Sequence, residues 1–248
     1  GVMSDMKISL VDRDASSTDR VMSRWMKLAP MGNGDILRVF GHWRNNKSTQ
    51  GYMDVGVVIL DDNFEHLGSV TWNSWMGSRN WAVYSGDKLV YPGDSAAEFI
   101  DLKLDALRSE SPKAKWAAMT VQSWSGWEMN TVDFLAGVML RSDLGRRGEV
   151  FDARTVETAF KPTTKSTQAV PLVVNVETGE VFWIDSSNGS TAACNSAATD
   201  STVGSIVYDE LIRPRLTYGE LAELWAEAHN METTNDPVDI DLIDKLFS

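Results

Sequence analysis

From Ile36 to Asp185 the chain is a succession of short apolar runs rich in β-branched and aromatic residues, and this pattern restricts the fold more than any other feature. Ile36-Leu37-Arg38-Val39-Phe40-Gly41-His42-Trp43 and Val55-Gly56-Val57-Val58-Ile59-Leu60 have the length and composition of strands. Further strands are expected at Gly68–Asn73, Trp81–Ser85, Ala97–Leu104, Trp116–Trp124 and Phe134–Arg141. Asp61-Asp62-Asn63 supplies turn chemistry, because short Asx side chains hydrogen-bond to nearby backbone. Leu172–Val176 and Glu180–Ile184 read as a hairpin across Glu177-Thr178-Gly179, where glycine can adopt a positive φ. Short strands in quick succession, with few helices between them, predict a mainly β fold: one antiparallel β-sandwich over residues 36–185, not a parallel α/β sheet.

Helices are expected at both ends. In the N-terminal segment, residues 1–35, Ser17 or Thr18 can cap a helix that runs through Lys27 and stops before Pro30. Thr217-Tyr218-Gly219-Glu220 is a capping box, followed by Leu221, Leu224, Trp225 and Ala228 at helical spacing. Asp236 and Pro237 open a last helix with Ile240, Ile243 and Phe247 on one stripe, so residues 207–248 read as acidic C-terminal helices. Between sandwich and tail, residues 186–206 are rich in Ser, Thr, Asn, Ala and Gly with almost no large apolar side chain. A segment that buries so little surface is expected to be a linker or long loop.

Charge and residue inventory exclude several function classes. Twenty-three Lys and Arg against 35 Asp and Glu give a net charge of −12, a field that repels nucleic acid and anionic membrane surfaces. Neither an apolar run of about 18 residues nor a basic-then-apolar leader is visible, so no membrane span is expected and the cytoplasm is the expected location. Cys194 is the single cysteine, and His42, His66 and His229 are far apart in sequence, which leaves little for a zinc site. No Gly-x-Ser-x-Gly elbow occurs, and Met31-Gly32-Asn33-Gly34-Asp35 lacks the Lys-Ser/Thr of a phosphate loop. A non-catalytic role follows as the expectation.

Two residue sets remain as candidates for binding. The ten tryptophans include Trp72, Trp75 and Trp81, then Trp116, Trp124 and Trp127, which could form a platform for a carbohydrate or a peptide or could pack the core. Asp54, Asp61, Asp62, Asp87, Asp94, Glu98 and Asp101 fall in one stretch of strands, several at strand ends. Calcium takes about six to eight oxygens from such side chains, although the spacing is not that of an EF-hand, and a solvated acidic rim is the other reading.

Asp54-Val55-Gly56-Val57-Val58-Ile59-Leu60-Asp61, then Tyr84-Ser85-Gly86-Asp87, then Gly93-Asp94-Ser95-Ala96-Ala97-Glu98 resemble, in order, three blocks of the TerD family of tellurium-resistance and stress proteins. Val121-Gln122-Ser123-Trp124-Ser125-Gly126 is similar to a fourth, the family's Val-Asn-Ser-Tyr-Ser-Gly strand, and the run from Leu37 to Arg141 is similar to larger bacterial TerD-like proteins. The resemblance implies a cytoplasmic calcium-binding β-sandwich that acts with protein partners in tellurite, phage or other stress responses, without a catalytic reaction. The metal ligands it implies are Asp54, Asp87 and Glu98, with Asp94 as an addition. Gly56, Lys88 and Ala96-Ala97 stand where the family's blocks carry Asp, Asn and two Asp. The expectation is therefore one weak calcium site at best: either Lys88 points to solvent and Asp87 keeps a ligand role, or, the favoured outcome, its ammonium replaces the ion and pairs with Asp54, Asp87 or Glu98.

Overall fold

The computed structural model describes residues 36–44, 52–72, 80–87, 95–152, 156, 158–187, 197–213 and 218–229. The expected N-terminal helix, the last C-terminal helix, Lys88, Asp94, Trp75 and Cys194 lie outside them. The described strands are β1 (Ile36–Arg44), β2 (Met53–Leu60), β3 (His66–Val70), β4 (Ala82–Tyr84), β5 (Ser95–Lys103), β6 (Trp116–Ser123), β7 (Asp133–Arg141), β8 (Thr158–Phe160), β9 (Gln168–Asn175) and β10 (Val181–Ser186). They form two five-stranded sheets, ordered β4-β5-β1-β7-β8 and β10-β9-β6-β2-β3, with every pairing antiparallel. The mainly β class read from the sequence is the observed one, with strand ends displaced by a few residues.

Alternation along the strands builds the core. Leu37, Val39 and Trp43 of β1, Met53, Val55, Val57 and Ile59 of β2, and Ala117, Met119 and Val121 of β6 point between the sheets into one apolar cluster. Gly41 has no side chain on this face because a Cβ would lie 2.9 Å from both the Phe134 ring and Val55 Cγ2. Outward faces are covered as well. Val58, Leu60, Ala118, Val170 and Ile184 pack under Val203 and Val207 of α2 (Ala197–Leu211). Phe40, Phe99 and Met139 pack under Phe151, Val156 and Ala159. Burial on both faces explains why these strands read as near-continuous apolar runs.

Two expected turns form as the side chains dictate. Asp61 Oδ1 accepts from the backbone N–H groups of Asn63 and Glu65, both at 2.9 Å. Asn175 Oδ1 accepts from the N–H groups of Glu177 and Thr178, and Gly179 takes φ 71° to close the β9–β10 hairpin. Pro171 lies inside β9, where it has no N–H for the ladder. Register shifts fall opposite it in both β6 and β10, and Asp185 takes φ 44° at the second.

Helices between strands were not anticipated. A short α1 (Leu104–Glu110) follows β5 and buries Leu104 and Leu107. The loop expected over residues 186–206 is helical from Ala197 on, since α2 runs through the boundary placed at 206. Val203 and Val207, one turn apart, supply the apolar stripe, and Gly204 permits close approach because a Cβ there would lie 2.1 Å from the Phe64 carbonyl oxygen. Composition concealed this helix because two valines and a glycine suffice when a sheet face is ready to receive them.

The described residues divide into two compact units, one running to Ile212 and the other beginning at Arg213. In the second, α3 (Tyr218–Ala228) occupies the segment after the capping box. Leu221, Leu224 and Trp225 on it are exposed, and the Trp225 ring stacks on His229 at 4.4 Å.

Candidate functional site

The ladder between β2 and β3 ends at the pair Val57↔Val70, so the outer edge of β2 is not paired with β3 from Met53 to Gly56. Along this stretch β2 bonds to the other sheet: the Val55 N–H donates to Glu98 Oε2 at 3.1 Å. Glu98 comes from β5 and is fully buried. The Tyr84 hydroxyl, from β4, donates to the same oxygen at 2.9 Å. A carboxylate in an apolar interior is tolerated only with such donors.

Asp87 reaches the same spot through the turn after β4. Ser85 continues the β4–β5 pairing, its N–H donating to the Phe99 carbonyl at 2.9 Å and its Oγ accepting from the Phe99 N–H at 3.0 Å. Its carbonyl accepts from the Gly148 N–H at 2.7 Å, and Gly86 then takes φ 95°. This is one of the positions where glycine is needed, because a side chain is strained at that φ. The turn delivers Asp87 beside Asp54, and one oxygen from each of Asp54, Asp87 and Glu98 lies within 4.8 Å of the others.

A cleft of about 260 Å³ opens above Asp54 and Asp87, lined also by Tyr52, Trp72 and Trp124. Trp124 follows β6 and its N–H donates to the Tyr52 carbonyl at 2.9 Å, while the Tyr52 N–H donates to Ser125 Oγ at 3.0 Å. Trp72 follows β3. Gln122, opposite Asp54 in the β2–β6 register and so on the same sheet face, is 5% exposed, and among the described residues neither its amide nitrogen nor its oxygen has a hydrogen-bond partner.

Electrostatics at this spot are those of crowded acids. Burial first, and the neighbouring Asp87 second, push the Asp54 carboxyl up from 3.8 to about 6. Burial, then the charge and hydrogen bond of Glu98, push the Tyr84 hydroxyl up, so it stays a donor. Among the described residues, no Lys or Arg forms an ion pair with Asp54 or Asp87. Oxygens bound to one calcium at about 2.4 Å can be at most about 4.8 Å apart, so the three carboxylates fit a single hard cation. The absence of His and Cys from the set points the same way.

Of the other carboxylates picked from the sequence, Asp61 and Asp62 serve a turn, and Asp101 is paired with buried Arg38 at 2.6 Å. Asp94 lies outside the described residues. The tryptophan groups divide: Trp81 is core, Trp116 stacks on Phe64 at 6.0 Å, and Trp72 joins Trp124 across the cleft. Sequence reading missed Tyr52, Gln122 and the donor role of Tyr84. The signals for Tyr84 and Gln122 were their places in the Tyr-Ser-Gly-Asp and Val-Gln-Ser-Trp blocks; Tyr52 carried none beyond nearness to Asp54.

No family model matches the sequence, and no curated protein matches it. Among solved structures the chain is similar to a homologue of the telluride resistance protein TerD from Streptomyces coelicolor A3(2), with 11% identity and a TM-score of 0.49 over 68% of this chain and 97% of that one. It is also similar to SAV2460, a protein of unknown function, with 12% identity and a TM-score of 0.47 over 70% of this chain and 98% of that one. The sandwich assignment stands on the strand ladders of this chain itself. Among the described residues no helix is long and apolar enough to cross a membrane.

Proposed function

We propose that this chain is a calcium-binding, non-catalytic β-sandwich of the TerD type, which acts through protein partners in a cytoplasmic stress response of the tellurite- or phage-resistance kind. One observation carries the reading. Four sequence blocks, spread from Asp54 to Gly126, meet at a single place: Asp54, Asp87 and Glu98 within 4.8 Å, with Trp124 of the fourth block on the wall of the adjoining cleft. Separate strands that bring three carboxylates together at a cost to stability, two of them without an ion-pair partner among the described residues, support a cation site. That cost is the mark of a functional site. The test is calorimetric titration of calcium into the wild type, Asp87→Ala and Lys88→Asn. Binding by the wild type that Asp87→Ala abolishes supports the proposal. Affinity gained only in Lys88→Asn means that the lysine replaces the ion, and the chain is then an interaction module derived from a calcium site.

The aromatic walls of the cleft, Tyr52, Trp72 and Trp124, support a second reading, in which the sandwich binds a carbohydrate or a peptide. Ligand binding lost in Trp124→Ala but independent of calcium favours it.

A further inference from the structure

We propose that the cleft lined by Tyr52, Asp54, Trp72, Asp87 and Trp124 binds an alkylammonium head group, held by the two carboxylates and flanked by the three aromatic residues. The proposal does not rest on calcium binding, because it needs only Asp54 and Asp87 as anions and uses rings that no metal would touch.

Composition of the walls selects the ligand. Aromatic faces carry a negative quadrupole and attract organic cations within about 6 Å, and cages of such rings beside a carboxylate suit quaternary and primary ammonium groups. Trp72 and Trp124 are 36% and 49% exposed, so indole surface lies open to solvent beside two acids. A neutral sugar would stack on the rings and donate its hydroxyls to Asp54 and Asp87, but would leave their charge uncompensated. A compact metal ion would use the acids and leave the rings bare. An ammonium group on a hydrocarbon stem uses both.

Size agrees with this choice. About 260 Å³ is below the roughly 300–1,000 Å³ of pockets that enclose drug-sized ligands, so the cleft takes a head group rather than an oligosaccharide. Gln122 is an independent sign of an unfinished site. Its buried amide stands across from Asp54, and among the described residues both its donor and its acceptor are without a hydrogen-bond partner.

The test uses the full-length chain and follows tryptophan fluorescence and calorimetry at constant ionic strength. The probes are choline, its uncharged isostere 3,3-dimethylbutan-1-ol, and a short peptide with one internal lysine. Saturable choline binding at least tenfold tighter than that of the isostere is expected, a difference of about 1.4 kcal/mol. Trp124→Ala should weaken choline at least fivefold and leave any calcium affinity within twofold. Asp87→Asn should weaken both ligands. If the lysine peptide binds tighter than choline, the head group comes from a protein partner; if choline binds tighter, it comes from a small molecule. Equal affinity for choline and the isostere overturns the proposal, as does no saturation of any amine by 50 mM or a Trp124→Ala variant with unchanged affinity. Calcium titrations in the same series report on the metal reading separately: choline binding without calcium binding overturns only the metal reading, and calcium binding without choline binding overturns only this proposal.

Discussion

Asp54→Asn separates stability from function at the acid cluster. In the native chain burial and Asp87 raise this carboxyl from 3.8 to about 6, so the native state holds its proton across a range in which the unfolded chain has released it. Protons then favour the native state, and stability falls as pH rises from about 4 to about 6 and stays reduced above that. At about 1.4 kcal/mol per pH unit the full penalty above pH 6 is roughly 3 kcal/mol. Asp54 is only partly buried, so water screens it and about half of that, roughly 1–2 kcal/mol, is expected. An isosteric amide removes the penalty. In chelator at pH 8, Asp54→Asn should therefore be more stable than the wild type by about 1–2 kcal/mol, or about 3–6 °C in Tm for a chain of this size. The advantage should shrink toward pH 4. Calcium should reverse the order, because a ligand at about 100 times its Kd adds about 2.7 kcal/mol to the form that binds it. Urea and thermal unfolding at pH 8 and 4.5, each with calcium and with chelator, measure all four cases. A variant less stable than the wild type at pH 8 in chelator would refute the argument that Asp54 is held at a cost.

Two further substitutions test the donors and the neighbouring ion pair. Tyr84→Phe removes the 2.9 Å hydrogen bond to buried Glu98 and should cost about 1–3 kcal/mol by urea unfolding, with weaker cation binding in the same variant. Arg38→Leu leaves fully buried Asp101 without its bidentate partner at 2.6 and 2.9 Å and should cost about 3–5 kcal/mol, whereas the double change Arg38→Leu/Asp101→Leu should recover most of the loss.

The strands were most legible where both faces are buried, as in β1, β2 and β9, whose residues are mostly apolar so that the runs stand out. Ile36–Arg44 and Met53–Leu60 could hardly be anything else. What escaped notice depends on partners distant in sequence. The helix Ala197–Leu211 has two buried valines and acquires its stability from the sheet face beneath it, which no local composition reports. At the candidate site the carboxylates were visible as residues that break an apolar run. The cleft was not, because Trp72 and Trp124 are 52 positions apart in the chain and meet only after β3 and β6 are assembled on either side of β2.

Charge separates the two carboxylate clusters more clearly than burial does. Asp101 is as deeply buried as Glu98, and the fold answers it with Arg38, whose guanidinium also lies 3.6 Å over the Phe99 ring, and with the Gly145 N–H at 2.6 Å. Gly145 is confined to that role, since a Cβ would lie 2.5 Å from Arg38 Nη2 and 2.8 Å from Asp101 Oδ2. Acid and base are thus matched within the chain, and the cluster is a structural staple. At the edge of β2 the same fold supplies neutral donors to Glu98, from Val55 and Tyr84, yet places Asp54 and Asp87 side by side without an ion-pair partner among the described residues. Neutral donors orient a carboxylate without cancelling its charge. A chain that can bury an arginine beside Asp101 could as readily have placed one beside Asp54. Among the described residues it leaves the two acids facing an aromatic cleft, so their counter-ion is Lys88, a metal ion or the head group of an amine, and the titrations of the wild type and Lys88→Asn separate the three.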